Sequence, residues 1–237
     1  MNLDELIKLL KNQFPDIDCS LVKKKILTYK EFLQKQNKIH NLTRLDKESD
    51  VYQKYFYESI INFKNELFEN KNINVLDIGS GSGIPGIILK IIFPFISLYI
   101  VDSNKKKTTF LSELIEILEL KNVYISNSRC EEYIKNKIEF FDLITCRAVA
   151  ELRILLEISF PGLKKGGIAF FLKSQNYLEE IENSKLISKN LCIEENPIID
   201  EIEYDQRKFI SLKYIKKNPT SKKFPRTWKE ILTNDKN

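Results

Sequence analysis

Glycine is scarce in this chain: there are 7 in 237 residues, and none precedes Gly79. A long opening stretch without glycine lacks the residue that most readily takes left-handed turns, which suits a helical module with short connections. Cys19, Cys130, Cys146 and Cys192 are scattered and form no CxxC pair. This argues against a structural metal site and for the reduced thiols of a cytoplasmic protein. No uninterrupted apolar run reaches the roughly 18 residues that a membrane span needs. The start, Met1-Asn2-Leu3-Asp4-Glu5, lacks the basic region and apolar core of a secretion signal. The single histidine, His40, lies far upstream of the other motifs and offers no partner for hydride transfer.

The chain is 43% hydrophobic and 30% charged, which places it among globular proteins. The net charge of +5 is unevenly spread. Between Gln206 and Lys229 stand nine basic residues and no acid, with Phe224 and Trp228 among the last of them. Such a stretch can be a phosphate-binding surface with rings for base stacking, or a solubilising tail. Lys105-Lys106-Lys107 is a smaller cluster with the same two readings.

Residues 1–70 read as helical. Leu3, Leu6, Ile7, Leu9 and Leu10 share one face, and Pro15 ends that helix. Ser20 is a plausible N-cap for a second helix to about Lys38, and Asp46 or Ser49 for a third carrying Val51, Tyr55, Ile60 and Leu67. Beyond residue 70 strands and helices alternate, with strands expected at 74–78, 97–102, 122–126, 141–146 and 167–173. Helices of 84–93, 104–120, 129–137, 151–160 and 175–189 lie between and after them. That alternation predicts an α/β fold with a doubly wound, mostly parallel sheet. Runs at 191–199 and 207–216, with only a loop between them, predict an antiparallel hairpin at its edge. The expected division is a helical module at 1–70, a Rossmann-like domain at 71–217 and a basic tail at 218–237.

Four of the 7 glycines fall in Asp77-Ile78-Gly79-Ser80-Gly81-Ser82-Gly83-Ile84-Pro85-Gly86. A short apolar strand ends in an acid and opens into bare backbone before a helix, an arrangement that lets a nucleotide-like ligand approach closely. Asp102 ends the next strand, 23 residues after Gly79. A carboxylate there can accept hydrogen bonds from ribose hydroxyls or cap the following helix. Gly81 to Gly86 also matches the dinucleotide pattern GxGxxG, so an NAD-dependent oxidoreductase is one reading. Asp77 favours S-adenosyl-L-methionine, whose ammonium it could meet. The expected hairpin edge also takes the place of a second mononucleotide half.

From about residue 29 to 226 the chain resembles the bacterial small-subunit rRNA guanine-N7 methyltransferases of the RsmG (glucose-inhibited division protein B) family. The resemblance rests on Asn37-Lys38-Ile39-His40-Asn41-Leu42-Thr43, on Asp77 to Gly86, and on Val101-Asp102-Ser103 with Lys105-Lys106-Lys107. It continues through Ser128-Arg129-Cys130-Glu131-Glu132, Arg147-Ala148, Leu172-Lys173, Arg207-Lys208-Phe209 and Lys222-Lys223-Phe224-Pro225-Arg226. The Pro-Gly ending of the loop and the Arg-Ala pair after the fourth strand are its most specific parts. Tyr55 and Glu58 stand where the family pattern has His and Asp, Cys146 replaces a usual Ser, and Ser174 a usual Gly.

The resemblance implies a class I methyltransferase fold with a seven-stranded sheet and S-adenosyl-L-methionine as cofactor. It implies 16S rRNA or a small-subunit assembly intermediate as partner, with no membrane and no stable protein partner. Asp77, Gly79, Gly81, Gly83, Ile84, Asp102, Cys130, Glu131 and Arg147 are the expected cofactor residues, with Arg147 beside methyl donor and base. Lys105, Lys106, Lys107, Arg129, Lys173, Arg207, Lys222, Lys223 and Arg226 are candidates for RNA phosphates. The target implied is guanine N7 in the decoding-region hairpin. Its lone pair needs no base to remove a proton before attack. Cys146 carries a rival reading, the nucleophile of a cytosine-C5 RNA methyltransferase. A third is an RNA-binding protein without turnover.

Overall fold

The computed structural model describes residues 1–40, 50–69 and 72–233, without the side chains of Ile39 and His40. The expected caps Asp46 and Ser49, the stretch Asn41-Leu42-Thr43 and the His40 side chain lie outside the described residues.

Helix α1 (Leu3–Gln13) begins in a reciprocal cap, with Asn2 Oδ1 accepting from Glu5 N and the Glu5 carboxylate accepting from Asn2 N. Helix α2 runs over Cys19–His40. Its cap is Asp18 and not Ser20, because Asp18 Oδ1 accepts from Leu21 N at 3.0 Å. The expected third helix is instead a π-helical turn at Val51–Phe56 followed by 3-10 turns at Tyr57–Ser59 and Asn65–Phe68. Val51, Tyr52, Tyr55, Phe56 and Tyr57 are all buried. Buried rings on most sides leave only a narrow polar face of Gln53 and Lys54, so a regular 3.6-residue period is not what this segment needs.

Seven strands form one sheet: β1 (Asn74–Ile78), β2 (Ser97–Val101), β3 (Val123–Ser126), β4 (Phe141–Arg147), β5 (Leu163–Lys173), β6 (Ile198–Tyr204) and β7 (Arg207–Ile215). Their order is β3-β2-β1-β4-β5-β7-β6, parallel except that β7 runs against β5 and β6. Helices α3 (Gly86–Ile92), α4 (Lys105–Ile117), α5 (Cys130–Lys135), α6 (Leu152–Ser159) and α7 (Tyr177–Asn190) intervene, and α8 (Trp228–Thr233) ends the described chain.

Side chains alternate faces along each strand. Val75, Leu143 and Phe170 therefore join one apolar cluster and their successors Leu76, Ile144 and Phe171 another. The first cluster continues without a break into Leu6, Leu10, Ile26, Tyr29 and Phe56, so the N-terminal helices cover one face of the sheet. The second takes in α5–α7 and, from the tail, Phe224 and Ile231.

The hairpin differs from expectation in its first strand. Helix α7 continues to Asn190, and β6 starts at Ile198. The turn is Asp205-Gln206 alone, both residues left-handed with φ of 51° and 59°, the geometry of a two-residue hairpin. The acids of 200–204 read as a loop, yet they suit an edge strand, where Glu203 sits opposite Lys208. Among the described residues no helix is long and apolar enough to cross a membrane.

Candidate active site

The glycine loop follows β1, beside the point where strand order reverses between β1 and β4. Gly79, Gly81 and Gly83 have φ of 63°, 62° and 108°, a region that L side chains rarely adopt. Asp77 builds this loop. Its side chain is wholly enclosed, and Oδ2 accepts from Ser80 Oγ at 2.5 Å and Gly86 N at 2.9 Å. A Cβ on Gly86 would lie 2.6 Å from that oxygen, so the helix must begin with bare backbone here. Burial pushes the Asp77 carboxyl up to about 7, against the two hydrogen bonds that favour its charged form. Asp77, expected at a ligand ammonium, ties the loop from behind through Oδ2, and Ile78 and Gly79 form the adjoining wall.

That wall belongs to a cleft of about 360 Å³, lined in part by Gly79, Asp102, Ser128, Cys130, Glu131 and Val149. Asp102 Oδ2 accepts from Gly81 N at 3.0 Å and Oδ1 from Asn104 N at 2.9 Å. The cap of α4 is Asn104, whose Oδ1 accepts from Lys106 N and Lys107 N. A carboxylate has roughly four acceptor positions, so Asp102 keeps capacity for two hydroxyls of a ribose. The bare backbone of Gly79, this acid and the apolar patch of Val101, Ile154 and Ile158 fit an S-adenosyl nucleoside. Cys130 and Glu131 line the same cleft. Gly81 instead holds Asp102. Gly83 is sealed beneath the Tyr29 hydroxyl, and Ile84 packs against the first core, so neither lines the cleft.

A second cleft, about 510 Å³, is lined by Glu58, Asn62, Arg147, Lys208, Phe209 and others, and shares Ala148, Val149 and Ala150 with the first. Val149 leans on Gly79 so closely that a Cβ there would come within 2.7 Å of its Cγ2. Arg147 ends β4 at this junction. Its Nη2 donates to the Lys54 carbonyl at 3.3 Å, while Nη1 is buried without a partner among the described residues. The neighbouring Glu151 pairs with Arg153, not with Arg147. Burial lowers the pKa of Arg147, and the charge of Glu58 opposes that shift.

Arg207 makes a two-pronged pair with the buried Glu58 carboxylate, and burial raises the Glu58 pKa against this pairing. Cys146 is 1% exposed, and burial pushes its thiol far above the ordinary value. A thiol so placed is a small core group and not a thiolate nucleophile.

The remaining basic candidates separate by position. Lys105, Lys106, Lys222 and Lys223 are exposed. Lys173 is enclosed instead, pairing with Glu180 and donating to the Ala150 carbonyl at 3.0 Å. Arg226 pairs with the buried Glu157, and Arg129 with Glu131. These three therefore have internal partners that a scan for positive charge cannot reveal. Lys107 lines the first cleft. Sequence reading gave no role in the site to Val149, Tyr29 or Ser82. The hydroxyl of Tyr29 donates to the Ser82 carbonyl, and that of Tyr55 to Ser82 Oγ at 2.5 Å. No local signal marks these contacts, since 53 and 27 residues separate the partners.

The family model of GidB, rRNA small subunit methyltransferase G, matches residues 22–210. A ribosomal RNA small subunit methyltransferase G of Malacoplasma penetrans is 70% identical over 237 residues, covering all of both chains. That of Ureaplasma parvum serovar 3 is 41% identical over 206 residues, 86% of this chain and 96% of its own. Among solved structures, M. jannaschii TYW2 in complex with AdoMet superposes with a TM-score of 0.52 at 19% identity, covering 67% of this chain and 76% of that one. A SAM-dependent methyltransferase of Aquifex aeolicus gives 0.51 at 18%, with 74% and 96% covered. At such identities the two structures speak for the fold alone, whereas the sequence matches span nearly the whole chain. The chain therefore belongs to the rRNA small subunit methyltransferase G family.

Proposed function

We propose that this protein transfers a methyl group from S-adenosyl-L-methionine to N7 of a guanine in the decoding-region hairpin of 16S rRNA. The observation that carries the reading is the pair of clefts meeting at Ala148-Val149-Ala150. One has the backbone and carboxylate features suited to the cofactor, and the other is open enough for a base. When bound, the cofactor supplies an electrophilic sulfonium methyl.

Guanine N7 presents a lone pair in the base plane, so the protein has no proton to remove first. Its task is to hold the base in line, which can supply on the order of 7–11 kcal/mol. Arg147 suits that task, because Nη1 is buried at the junction without a partner among the described residues. A donor there orients the base through its O6 edge and leaves N7 free. Asp102 holds the ribose, and Gly79 lets the cofactor lie against backbone. The exposed Lys105, Lys106, Lys222 and Lys223 contact RNA phosphates.

Labelled methyl transfer to small-subunit rRNA, followed by nucleoside mapping, tests this proposal. Label in N7-methylguanine of that hairpin is the expected result. Label on a cytosine ring carbon, or no transfer to either free rRNA or subunit-bound rRNA, overturns it.

A further inference from the structure

Trp228 is the one tryptophan of the chain and lies beyond the residues matched by the family model. The basic segment around it suggested a surface for stacking RNA bases, yet its indole lines the first cleft with Asp102, Ser128 and Arg129. The Arg129 guanidinium carbon sits 3.7 Å from the ring centroid. Arg129 Nε in turn donates to Glu131 Oε1 at 2.5 Å, and that carboxylate is buried. Glu131, Arg129 and Trp228 thus form one connected wall, and Arg129 holds the ring by a cation–π contact.

Several anchors keep the segment there. Phe224 is 5% exposed and Ile231 1% exposed, both within the second apolar core. The Arg226 Nε and Nη2 each donate to the buried Glu157 carboxylate at 2.6 Å. Removing one partner of such a buried pair leaves an uncompensated charge, so the segment is held at this position firmly. Thr227 and Glu230 cap the first turn of α8, with Thr227 N donating to Glu230 Oε2 at 2.9 Å.

We infer that Trp228 is a cofactor-site residue, and that the segment 224–233 forms the outer wall of the adenosine end of the cleft. This rests on the cofactor reading above. An indole beside the ribose-holding acid offers an apolar ring to a purine, and Arg129 is its positioning residue. The tail is then part of the enzyme's binding site and not an appendage added to it.

Because the chain has a single tryptophan, its emission reports on this wall directly. Titration of the full-length protein with S-adenosylhomocysteine should shift that emission saturably. Trp228→Ala should raise the dissociation constant by about tenfold, a typical loss for one stacking ring, with Trp228→Phe restoring most of it. The defect should appear as a raised KM for the methyl donor. Glu157→Gln, which loosens the segment from a distance, should weaken binding in the same direction.

A folded Trp228→Ala protein that binds S-adenosylhomocysteine with unchanged affinity by calorimetry overturns the inference. Loss of RNA binding alone in that variant also overturns it, in favour of a base-stacking role. A native protein that binds no S-adenosylhomocysteine at all overturns the cofactor reading as well.

Discussion

At the residue scale, two side chains carry opposite kinds of isolation. Arg147 is a cation with a buried nitrogen that has no partner among the described residues, and Asp77 is a carboxyl enclosed behind the loop. Arg147→Ala should lower methyl transfer by about 10²–10³-fold, the usual cost of losing one preorganised donor, with S-adenosylhomocysteine affinity nearly unchanged. Single-turnover rates with excess enzyme check this. Asp77 gives a pH signature. Its carboxyl is raised from 3.8 to about 7 on folding. Between those values the folded state keeps a proton that the unfolded state has released, so stability falls as pH rises through that window. Asp77→Asn should flatten that slope, and denaturant midpoints measured from pH 4 to 7 would show it. A slope of the same size in the variant would assign the effect to another group.

At the scale of elements, the π-helical turn and α2 act together on the glycine loop. The Tyr29 and Tyr55 hydroxyls both reach Ser82, and the Tyr29 hydroxyl lies 2.5 Å from where a Gly83 Cβ would be. The N-terminal helices therefore hold the loop in shape. Tyr29→Phe should cost about 0.5–1.5 kcal/mol, the net worth of one hydrogen bond, and should weaken cofactor binding although the residue lines neither cleft. Gly83→Ala should be worse, since it adds a left-handed strain at φ 108° to the clash. Thermal melts with and without S-adenosylhomocysteine separate the two effects. The elements also explain which readings were legible. Short, near-continuous apolar runs gave β1, β2 and β4 at the places expected, as strands buried on both faces require. The acid-bearing β6 was hidden, because its partner Lys208 becomes a neighbour only once the hairpin closes.

For the whole molecule, the basic charge divides into two populations. Lys105, Lys106, Lys222 and Lys223 face solvent, while Lys173 and Arg226 are spent on internal carboxylates. Replacing the four exposed lysines by glutamine should weaken binding to small-subunit RNA and flatten its salt dependence by up to about 0.9 per lost contact. Lys173→Gln should instead lower the melting temperature, because it leaves Glu180 without its cation. Filter binding across a salt series, read beside melting curves, checks both. Ligand linkage offers one more measurement. S-adenosylhomocysteine at a hundredfold excess over its dissociation constant should stabilise the fold by about 2.7 kcal/mol. NADH should not.

The sequence alone determined the features that depend on neighbours in the chain. These are the alternation of short apolar strands with helices that makes a parallel sheet, the glycines that free the loop after Asp77, and the acid at the end of β2. Their physics is local, a matter of backbone freedom and periodicity within a few residues. Only the tertiary structure decided which charges are available and which walls enclose the site. Arg226 finds Glu157 across 69 residues, and Arg207 finds Glu58 across 149. Whether a cation is free for RNA or neutralised inside depends on those distant partners. Trp228 reaches the first cleft for the same reason: burial of Phe224 and Ile231 brings this segment back onto the second core.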